Sequence, residues 1–391
     1  MQSDLSNQYR IDVDELRSLF EKLSLEGYDQ IGPIFRDGAI MLEKLNAFDD
    51  IALGYLEEQD KGKCHLTHHK DQGYFQYSVG PQSFKKFLHP PRRKLWSADG
   101  SSVDYKVSLP ESPPKMAFWG VRGCDIAAIK TLDKLFLEGS FVNDWYQSAR
   151  KDLVIIAVGC TQPSQNCFCT SLGTGPMPND GFDMSLIEIM NEHEHYFIAQ
   201  SRSSMIDDWL SGANPRLASE EELDKSVKAM QSAIDQMPIR FDPREVSEKL
   251  KSKLEHPEWE SVAERCLSCA NCTMVCPTCF CSTTEDITDI TGDHTERWLT
   301  WDSCFVGDFS YIHGGQIRKS TKSRYRQWMT HKLSNWYDQL GTSGCVGCGR
   351  CIAWCPVGID ITEEVSAICD PTPKSIVDIK SKEHEELKGN T

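Results

Sequence analysis

The sequences CLSCANCTMVCP at residues 266–277 and CVGCGRCIAWCP at residues 345–356 decide the organisation of this chain. Both the first block (266–277) and the second block (345–356) follow the spacing C-x-x-C-x-x-C-x-x-x-C-P. Three cysteines separated by two residues can bind three iron corners of a 4Fe-4S cubane, while the fourth thiolate comes from elsewhere. Because the spacing occurs twice, the sequence predicts two such clusters.

The fourth ligand of each cluster is expected from the other block, as in two-cluster ferredoxins. A proline follows the last cysteine of each block, and its fixed φ and missing N–H turn the chain away sharply. The first cluster is therefore predicted to bind Cys266, Cys269, Cys272 and Cys355. The second cluster is predicted to bind Cys345, Cys348, Cys351 and Cys276.

Zinc and disulfides are the weaker alternatives for these cysteines. Zinc sites also use C-x-x-C pairs, but they close at four ligands, and two blocks of four cysteines exceed what one tetrahedral zinc needs. Disulfides require an oxidising compartment. Residues 1–16, MQSDLSNQYRIDVDEL, lack the apolar core of a secretory signal. We therefore expect a cytoplasmic protein whose thiols are available as ligands.

Composition excludes several classes of function. The chain has 391 residues, of which 26% are charged and 39% hydrophobic, and no apolar run reaches the length of a membrane span. Its formal net charge of −16 would repel nucleic acid and anionic membranes. Neither G-x-G-x-x-G nor G-x-x-x-x-G-K-[ST] occurs, so no nucleotide cofactor is predicted in this chain.

The predicted fold class is α+β, with an N-terminal α/β domain followed by a helical two-cluster ferredoxin domain. Residues 1–240 are expected to form the mixed α/β domain with cysteine-bearing loops, and residues 374–391 a charged C-terminal tail. Residues 241–373 are assigned to the dicluster domain. The 68 residues between the blocks exceed what a compact bacterial ferredoxin needs, so added helices are expected around the clusters.

A βαβ unit is predicted within the α/β domain. Residues 116–121 and 152–160 have the apolar pattern of buried strands, and residues 124–137 have that of a helix between them. Both strands lead into glycine-containing turns that carry cysteines, at the strand ends where ligands gather in open α/β sheets. Four cysteines in these turns could hold a third iron-sulfur cluster or a zinc, with buried structural thiols as the alternative: Cys124, Cys160, Cys167 and Cys169.

The remaining cysteines are predicted to be structural. Cys279, Cys281 and Cys304 are interpreted mainly as buried thiols near the first block, because the block cysteines already satisfy two cubanes. Cys64 and Cys369 are also interpreted as structural. Three histidines beside Cys64, at residues 65, 68 and 69, are placed in a charged loop and are not expected to bind metal.

Several strings together resemble a known family. GPIFRDGAI, GVRGCDIAAI, NCFCTSLGTGP, CPTCFC, WDSC and GCVGCGRCIAWCPVGIDI are similar to the dicluster 4Fe-4S beta subunit of cytosolic hydrogenase/sulfur reductases and to the corresponding dicluster subunit of anaerobic sulfite reductase. The resemblance extends from about residue 32 to about residue 361. One departure is Gly123, where the family commonly carries proline, and this affects only the rigidity of that turn.

The resemblance implies an electron-transfer subunit of a hetero-oligomeric oxidoreductase that is not catalytic alone. Such a subunit relays electrons between a flavin-containing, NAD(P)H-handling partner and a catalytic subunit of the hydrogenase or sulfur/sulfite reductase type. A second hypothesis is a reductase with its own substrate or third metal site near Cys124 and Cys160. A third is a structural zinc module.

Overall fold

The computed structural model describes residues 8–69, 73–101 and 104–369. The predicted tail at residues 374–391 lies outside them. The described chain has an α/β part followed by a part that carries both cysteine blocks, so the predicted α+β class is confirmed. In the described part, no helix is both long enough and apolar enough to cross a membrane.

The N-terminal part alternates strands and helices. Its elements are β1 (Gln8–Ile11), α1 (Val13–Leu25), β2 (Asp29–Arg36), β3 (Ala39–Lys44), β4 (Tyr55–Asp60), β5 (Lys63–His68), α2 (Lys85–Leu88), β6 (Arg92–Ser101), β7 (Asp104–Ser108), β8 (Met116–Val121), α3 (Gly123–Leu137), α4 (Asp144–Lys151), β9 (Val154–Val158), α5 (Cys169–Leu172), β10 (Met184–Met190), β11 (His195–Ser201), α6 (Ser204–Ala213) and α7 (Glu220–Asp235).

The C-terminal part is mostly helical. Its elements are α8 (Pro243–Ser252), α9 (Glu258–Arg265), α10 (Asn271–Met274), β12 (Ser282–Thr288), β13 (His294–Trp301), β14 (Tyr311–Ile312), β15 (Gly315–Gln316), α11 (Thr321–Thr330), α12 (Trp336–Leu340), α13 (Arg350–Ala353) and α14 (Ile361–Cys369). A π-helical turn, His331–Asn335, joins α11 to α12.

A seven-stranded sheet organises the N-terminal part, with the strand order β1-β11-β10-β9-β8-β2-β3. Strands β2, β8, β9 and β10 run parallel to one another, and the remaining pairs are antiparallel. The predicted βαβ unit is confirmed, since β8 and β9 pair in parallel on either side of α3. Every residue of β9 is buried because the sheet is covered on both faces.

Alternation along β8 shows how the two faces are filled. Neighbouring side chains in a strand point to opposite faces. Trp119 belongs to the core that also contains Leu16 of α1. Phe118 belongs to the core on the other face, with Ile129 of α3. Helix α1, which the sequence predicts from the spacing of its apolar residues, begins with a capping box between Asp12 and Glu15.

A second sheet joins the two parts of the chain. Its order is β12-β13-β6-β7, so two strands come from the N-terminal part and two from the segment between the cysteine blocks. The segment between the blocks contains helices α11 and α12 and also forms the β12–β13 hairpin, which the sequence did not predict. That hairpin pairs along β6 from His294↔Asp99 to Thr300↔Arg92.

Two local predictions also need correction. The histidines beside Cys64 lie at strand β5 rather than in a loop: His65 and His68 are within the strand and His69 directly follows it. The composition of residues 243–266 predicts one helix that leads into the first block, whereas the structure has two. Helix α8 ends at Ser252, and Pro257, which lacks an N–H, precedes α9.

A buried ion pair links the second block to helix α3. Arg350 Nη2 lies 3.0 Å from a carboxylate oxygen of Asp125, and the two side chains are only 2% and 4% exposed. Arg350 Nε also donates to the carbonyl of Gly80. The pair therefore holds the second block against the N-terminal part from inside the protein.

We expect Arg350→Met to lower the free energy of unfolding by about 3 kcal/mol, because it leaves the Asp125 carboxylate buried without its partner. Urea unfolding of the purified chain measures the change. The control is Arg36→Met, which removes the exposed pair with Glu43 and should cost about 1 kcal/mol or less. Equal losses in the two variants would contradict a structural role for the buried pair.

Candidate iron-sulfur site

Both cysteine blocks adopt the same backbone path. In the first block, Ser268 and Ala270 have φ values of 52° and 66°, and helix α10 follows. In the second block, the equivalent residues Gly347 and Gly349 have φ values of 65° and 73°, and helix α13 follows. Left-handed residues between successive cysteines turn the chain tightly. Each block therefore presents its first three cysteines from one short turn.

The four predicted ligands of the first cluster line a single apolar cavity. Cys355 of the second block lies in it together with the three cysteines of the first, so the structure brings together the set that crossed ligation requires. Aromatic and aliphatic side chains form the rest of the wall: Leu267, Ala270, Phe305, Tyr325, Trp328, Pro356, Val357, Ile359 and Ile361, next to Cys351.

Backbone N–H groups point at two of these sulfurs. The amide of Ser268 donates to Cys266 Sγ over 3.4 Å, and the amide of Ile359 donates to Cys355 Sγ over 3.3 Å. Hydrogen bonds of this kind stabilise a thiolate and help to set the reduction potential of a cluster. The cavity thus combines apolar walls with donors aimed at its sulfur atoms.

The predicted ligands of the second cluster also lie near one another. Burial raises the pKa of Cys351, and the charges of Cys345, Cys348 and Cys276 raise it further. Burial raises the pKa of Cys345 to about 12, although the positive charge of Lys332 opposes this shift. Such interactions require short separations. The second set therefore also combines three cysteines of one block with the last cysteine of the other.

The buried thiols of the two blocks are suitable ligands for iron-sulfur clusters. Burial keeps isolated thiols protonated, whereas coordination to a metal cation deprotonates them. Across residues 8–69, 73–101 and 104–369, no three His, Cys, Asp or Glu side chains are arranged to hold one metal ion. A cubane divides its thiolates among four irons and so needs a wider arrangement than a single zinc. The geometry therefore suits two clusters, although the ligation itself stays a prediction.

Lys332 is a residue of this site that the sequence analysis missed. Its ammonium group is buried beside the second set of cysteines and donates to Cys276 Sγ over 3.2 Å. A hydrogen bond from Cys279, together with this ammonium group, lowers the pKa of Cys276 despite burial. The available signal was a lysine between aromatic residues in WMTHKLSNW at residues 328–336, since lysine is rarely buried without a partner.

The four cysteines of the predicted third site also gather. Cys124, Cys167 and Cys169 share one small core, in which Cys348 of the second block is partly buried. Cys160 is close enough to affect the pKa values of Cys167 and Cys169. Burial raises the pKa of Cys167 to about 12, so the structure shows buried thiols here, and a third cluster stays a prediction.

Two charged residues near the third site have structural partners. Arg122 donates to the carbonyls of Phe75 and Tyr77. Asp125 pairs with Arg350. Both side chains are therefore held by internal contacts.

The other cysteines form pairs or pack in cores. Cys279 interacts with Cys276, and Cys281 with Cys304, all within the segment that includes and follows the first block. Cys64 Sγ donates to Glu57 Oε1. Cys369 is buried in the core that surrounds both blocks. The structural interpretation of these thiols is compatible with this placement and stays a prediction.

Comparison with known proteins agrees with this geometry. The family described as a 4Fe-4S dicluster domain matches residues 265–359, which contain both blocks. The chain is 28% identical over 338 residues to sulfhydrogenase 2 subunit beta of Pyrococcus furiosus, covering 84% of this chain and 89% of that protein. No solved structure matches. The resemblance to hydrogenase beta subunits is confirmed, and the dicluster match supports iron-sulfur clusters.

We expect Gly347→Ala to lower the free energy of unfolding by about 3 kcal/mol, measured in urea. A Cβ at Gly347 would lie 2.6 Å from backbone atoms of Phe168 and Cys169, which belong to the loop of the predicted third site. The control is Gly341→Ala, where φ is also positive but no atom lies within 4 Å, so only the backbone strain of about 1 kcal/mol remains. Similar losses in the two variants would exclude the close approach as the cause.

Proposed function

We propose that this chain is the iron-sulfur electron-transfer subunit of a cytoplasmic, multi-subunit oxidoreductase of the hydrogenase type. The observation that carries the proposal is the apolar cavity in which Cys266, Cys269 and Cys272 meet Cys355. The similarity to sulfhydrogenase 2 subunit beta supports it. Each cluster, when bound, takes up and releases single electrons.

The residues around the first cavity suit electron transfer better than bond chemistry. Among the described lining residues there is no carboxylate, imidazole or amine, so no acid or base apart from the thiols and one tyrosine faces the cavity. General acid-base catalysis requires such a group within hydrogen-bonding reach of a substrate. The chain would therefore hold the cluster, limit its contact with water and aim backbone N–H groups at its sulfur ligands.

The two sets of cysteines suggest a path through the protein. Of the 17 cysteines, Cys269 of the first set is the exposed one. Cys348 of the second set lies against the core that contains Cys124 and Cys169. We propose that electrons pass between the surface near Cys269 and the N-terminal part by way of both clusters.

The partners proposed for the chain follow from the resemblance. The relative is by name a component of a sulfhydrogenase. One proposed partner is a flavin-containing, NAD(P)H-handling subunit, and the other is a catalytic subunit of the hydrogenase or sulfur/sulfite reductase type. The net charge of −16 also makes nucleic acid an unfavourable partner.

The alternative is a reductase with its own substrate or third metal site near Cys124 and Cys160. Three of these four cysteines share a core against which Cys348 packs, and this placement favours the alternative. An open cleft lies beside Gly123 and is lined by Lys130, but none of the four cysteines lines it. A substrate in this cleft would therefore not meet the thiols, and the electron-transfer proposal is preferred.

Crossed ligation can be tested by single serine substitutions in anaerobically purified protein. We expect about eight iron atoms per chain in the wild type, as two cubanes require. Cys266→Ser and Cys355→Ser should alter the same cluster signal in electron paramagnetic resonance (EPR) spectra, although the residues lie in different blocks. Cys276→Ser and Cys345→Ser should alter the other signal.

The control for this test is Cys64→Ser, which removes a thiol outside both blocks and should leave both signals unchanged. If Cys355→Ser altered the signal that Cys345→Ser alters, each block would complete its own cluster and crossed ligation would be wrong. A colourless wild-type protein that contains zinc would overturn the iron-sulfur assignment itself.

The electron-transfer role predicts that the isolated chain does not reduce sulfur or sulfite when an artificial electron donor is supplied. Co-purification of the native protein with mass spectrometry should then recover a flavoprotein together with a catalytic subunit. Turnover by the isolated chain that Cys124→Ser abolishes would instead support the reductase alternative. Cys64→Ser serves as the matched control here as well.

A further inference from the structure

Lys332 carries a buried positive charge without a carboxylate partner. Lys332 is only 5% exposed. Its ammonium group donates to Cys276 Sγ (3.2 Å), to Thr278 Oγ1 (3.1 Å) and to the carbonyl oxygen of Gly344 (3.0 Å). Within the described ranges, no Asp or Glu oxygen lies within ion-pair distance of it. A buried cation needs a compensating negative charge. Its one acceptor that can become anionic is the Cys276 sulfur.

The local backbone is built to hold this side chain in place. Lys332 lies in the π-helical turn between α11 and α12, and such turns occur frequently at functional sites. The amide of Gly344 donates to the carbonyl of Lys332, while the carbonyl of Gly344 accepts from the ammonium group. A Cβ at Gly344 would lie 2.8 Å from the Trp336 ring and 2.9 Å from the Lys332 carbonyl. The lysine is thus fixed at both its backbone and its side chain.

Thr278 completes the arrangement around the sulfur. Its side chain is fully buried, and its hydroxyl lies 3.2 Å from Cys276 Sγ and 3.1 Å from Lys332 Nζ. The hydroxyl donates to the carbonyl of Gly344 over 2.6 Å. Since that proton is committed to Gly344, the hydroxyl oxygen can accept from the ammonium group. Lys332 therefore remains the charged donor directed at Cys276.

The two cysteine sets differ in the positively charged side chains that lie near them. The cavity of the first set is lined by cysteines and by apolar or aromatic side chains, and no lysine, arginine or histidine lines it. In the second set, Lys332 contacts Cys276 directly, and Arg350 lies close enough to influence Cys348. Arg350 is already paired with Asp125. Among the described residues, two buried lysines without a carboxylate partner, Lys332 and Lys85, act on Cys276, but of the two only Lys332 contacts its sulfur.

We infer that Lys332 raises the reduction potential of the second cluster above that of the first. The inference rests on the proposed cluster ligation. Reduction adds one negative charge to a cluster, and a cation in contact with a ligand sulfur stabilises that charge, most strongly in a buried site of low dielectric. Among the described residues that line the first cavity, the donors to sulfur are neutral and no side chain is cationic. Lys332 is thus a positioning residue that makes the second cluster the preferred location of the first electron.

A higher reduction potential at the second cluster would direct electrons toward it. An electron that arrives at the exposed end, near Cys269, would move to the second cluster with a favourable change in free energy. It would then be held beside Cys348 and the buried cysteines of the N-terminal part. The same charge would slow the return of the electron to the surface.

An EPR-monitored redox titration of the purified chain tests the inference. The wild type should show two midpoint potentials. Lys332→Met removes the charge at nearly constant side-chain volume and should lower the higher of the two, with a smaller effect on the other. Lys332→Gln, which retains a donor without the charge, should shift the same potential in the same direction. Unchanged potentials in variants that retain both clusters would overturn the inference.

Lys85→Met is the matched control. Lys85 is also a buried lysine, with 3% exposure, but its ammonium group donates to the backbone carbonyl of Cys279 and lies over the Trp301 ring instead of contacting a proposed ligand sulfur. Its loss should shift the higher potential less than the loss of Lys332. An equal or larger shift would show that direct contact with Cys276 is not the reason why Lys332 raises the potential.

A further variant tests the order of potentials if the Lys332 variants fail to fold. Cys269 is exposed and belongs to the first set, so Cys269→Ser should alter or remove the signal with the lower midpoint potential. Alteration of the higher one would overturn the inference. Iron and sulfide analysis separates this result from failure of the proposed function: a chain without two clusters contradicts the proposed ligation, whereas two clusters with the opposite order contradict only the role of Lys332.

Discussion

The proposed cluster sites depend on the mutual completion of the two cysteine blocks. Three cysteines in one turn leave a cubane one thiolate short, and under the proposed crossed ligation each block takes this thiolate from the last cysteine of the other. The cavity that contains Cys266 and Cys355 meets this need for the first set. Helices α10 and α13 face each other across the site, and the Asn271 side chain donates to the carbonyl of Trp354. Under the proposed ligation, neither block could form its site in isolation.

The same requirement explains why the N-terminal part is closely joined to the blocks. The two cysteine sets need other parts of the protein around them to exclude water and to hold the turns of the cysteine blocks in place. Strand β6 pairs with the hairpin between the blocks. Gly62 donates its amide to the carbonyl of Ile352, and Phe168 donates to the carbonyl of Gly347. The α/β part therefore packs directly against the second block.

Electrostatics distinguishes the two sets of cysteines although their backbones are nearly equivalent. Ser268 and Ala270 accept in the first block the strained left-handed conformation that glycines adopt in the second. In the second block, Gly347 and Gly349 instead allow the N-terminal part to approach within a distance that no Cβ could tolerate. The repeated motif is thus embedded in two different environments, one apolar and one next to a buried ammonium group.

The sequence by itself determined the features that depend on local spacing, whereas only the tertiary structure decided how distant residues meet. The C-x-x-C-x-x-C-x-x-x-C-P blocks, the βαβ unit from β8 to β9 and helix α1 follow from residues close together in the chain. The β12–β13 hairpin could not be assigned to β6, because strand pairing across almost 200 residues leaves no local pattern. The burial of Lys332 against Cys276 follows from the π turn and the contact with Gly344. Such long-range contacts decide the burial and the charge of each cysteine set.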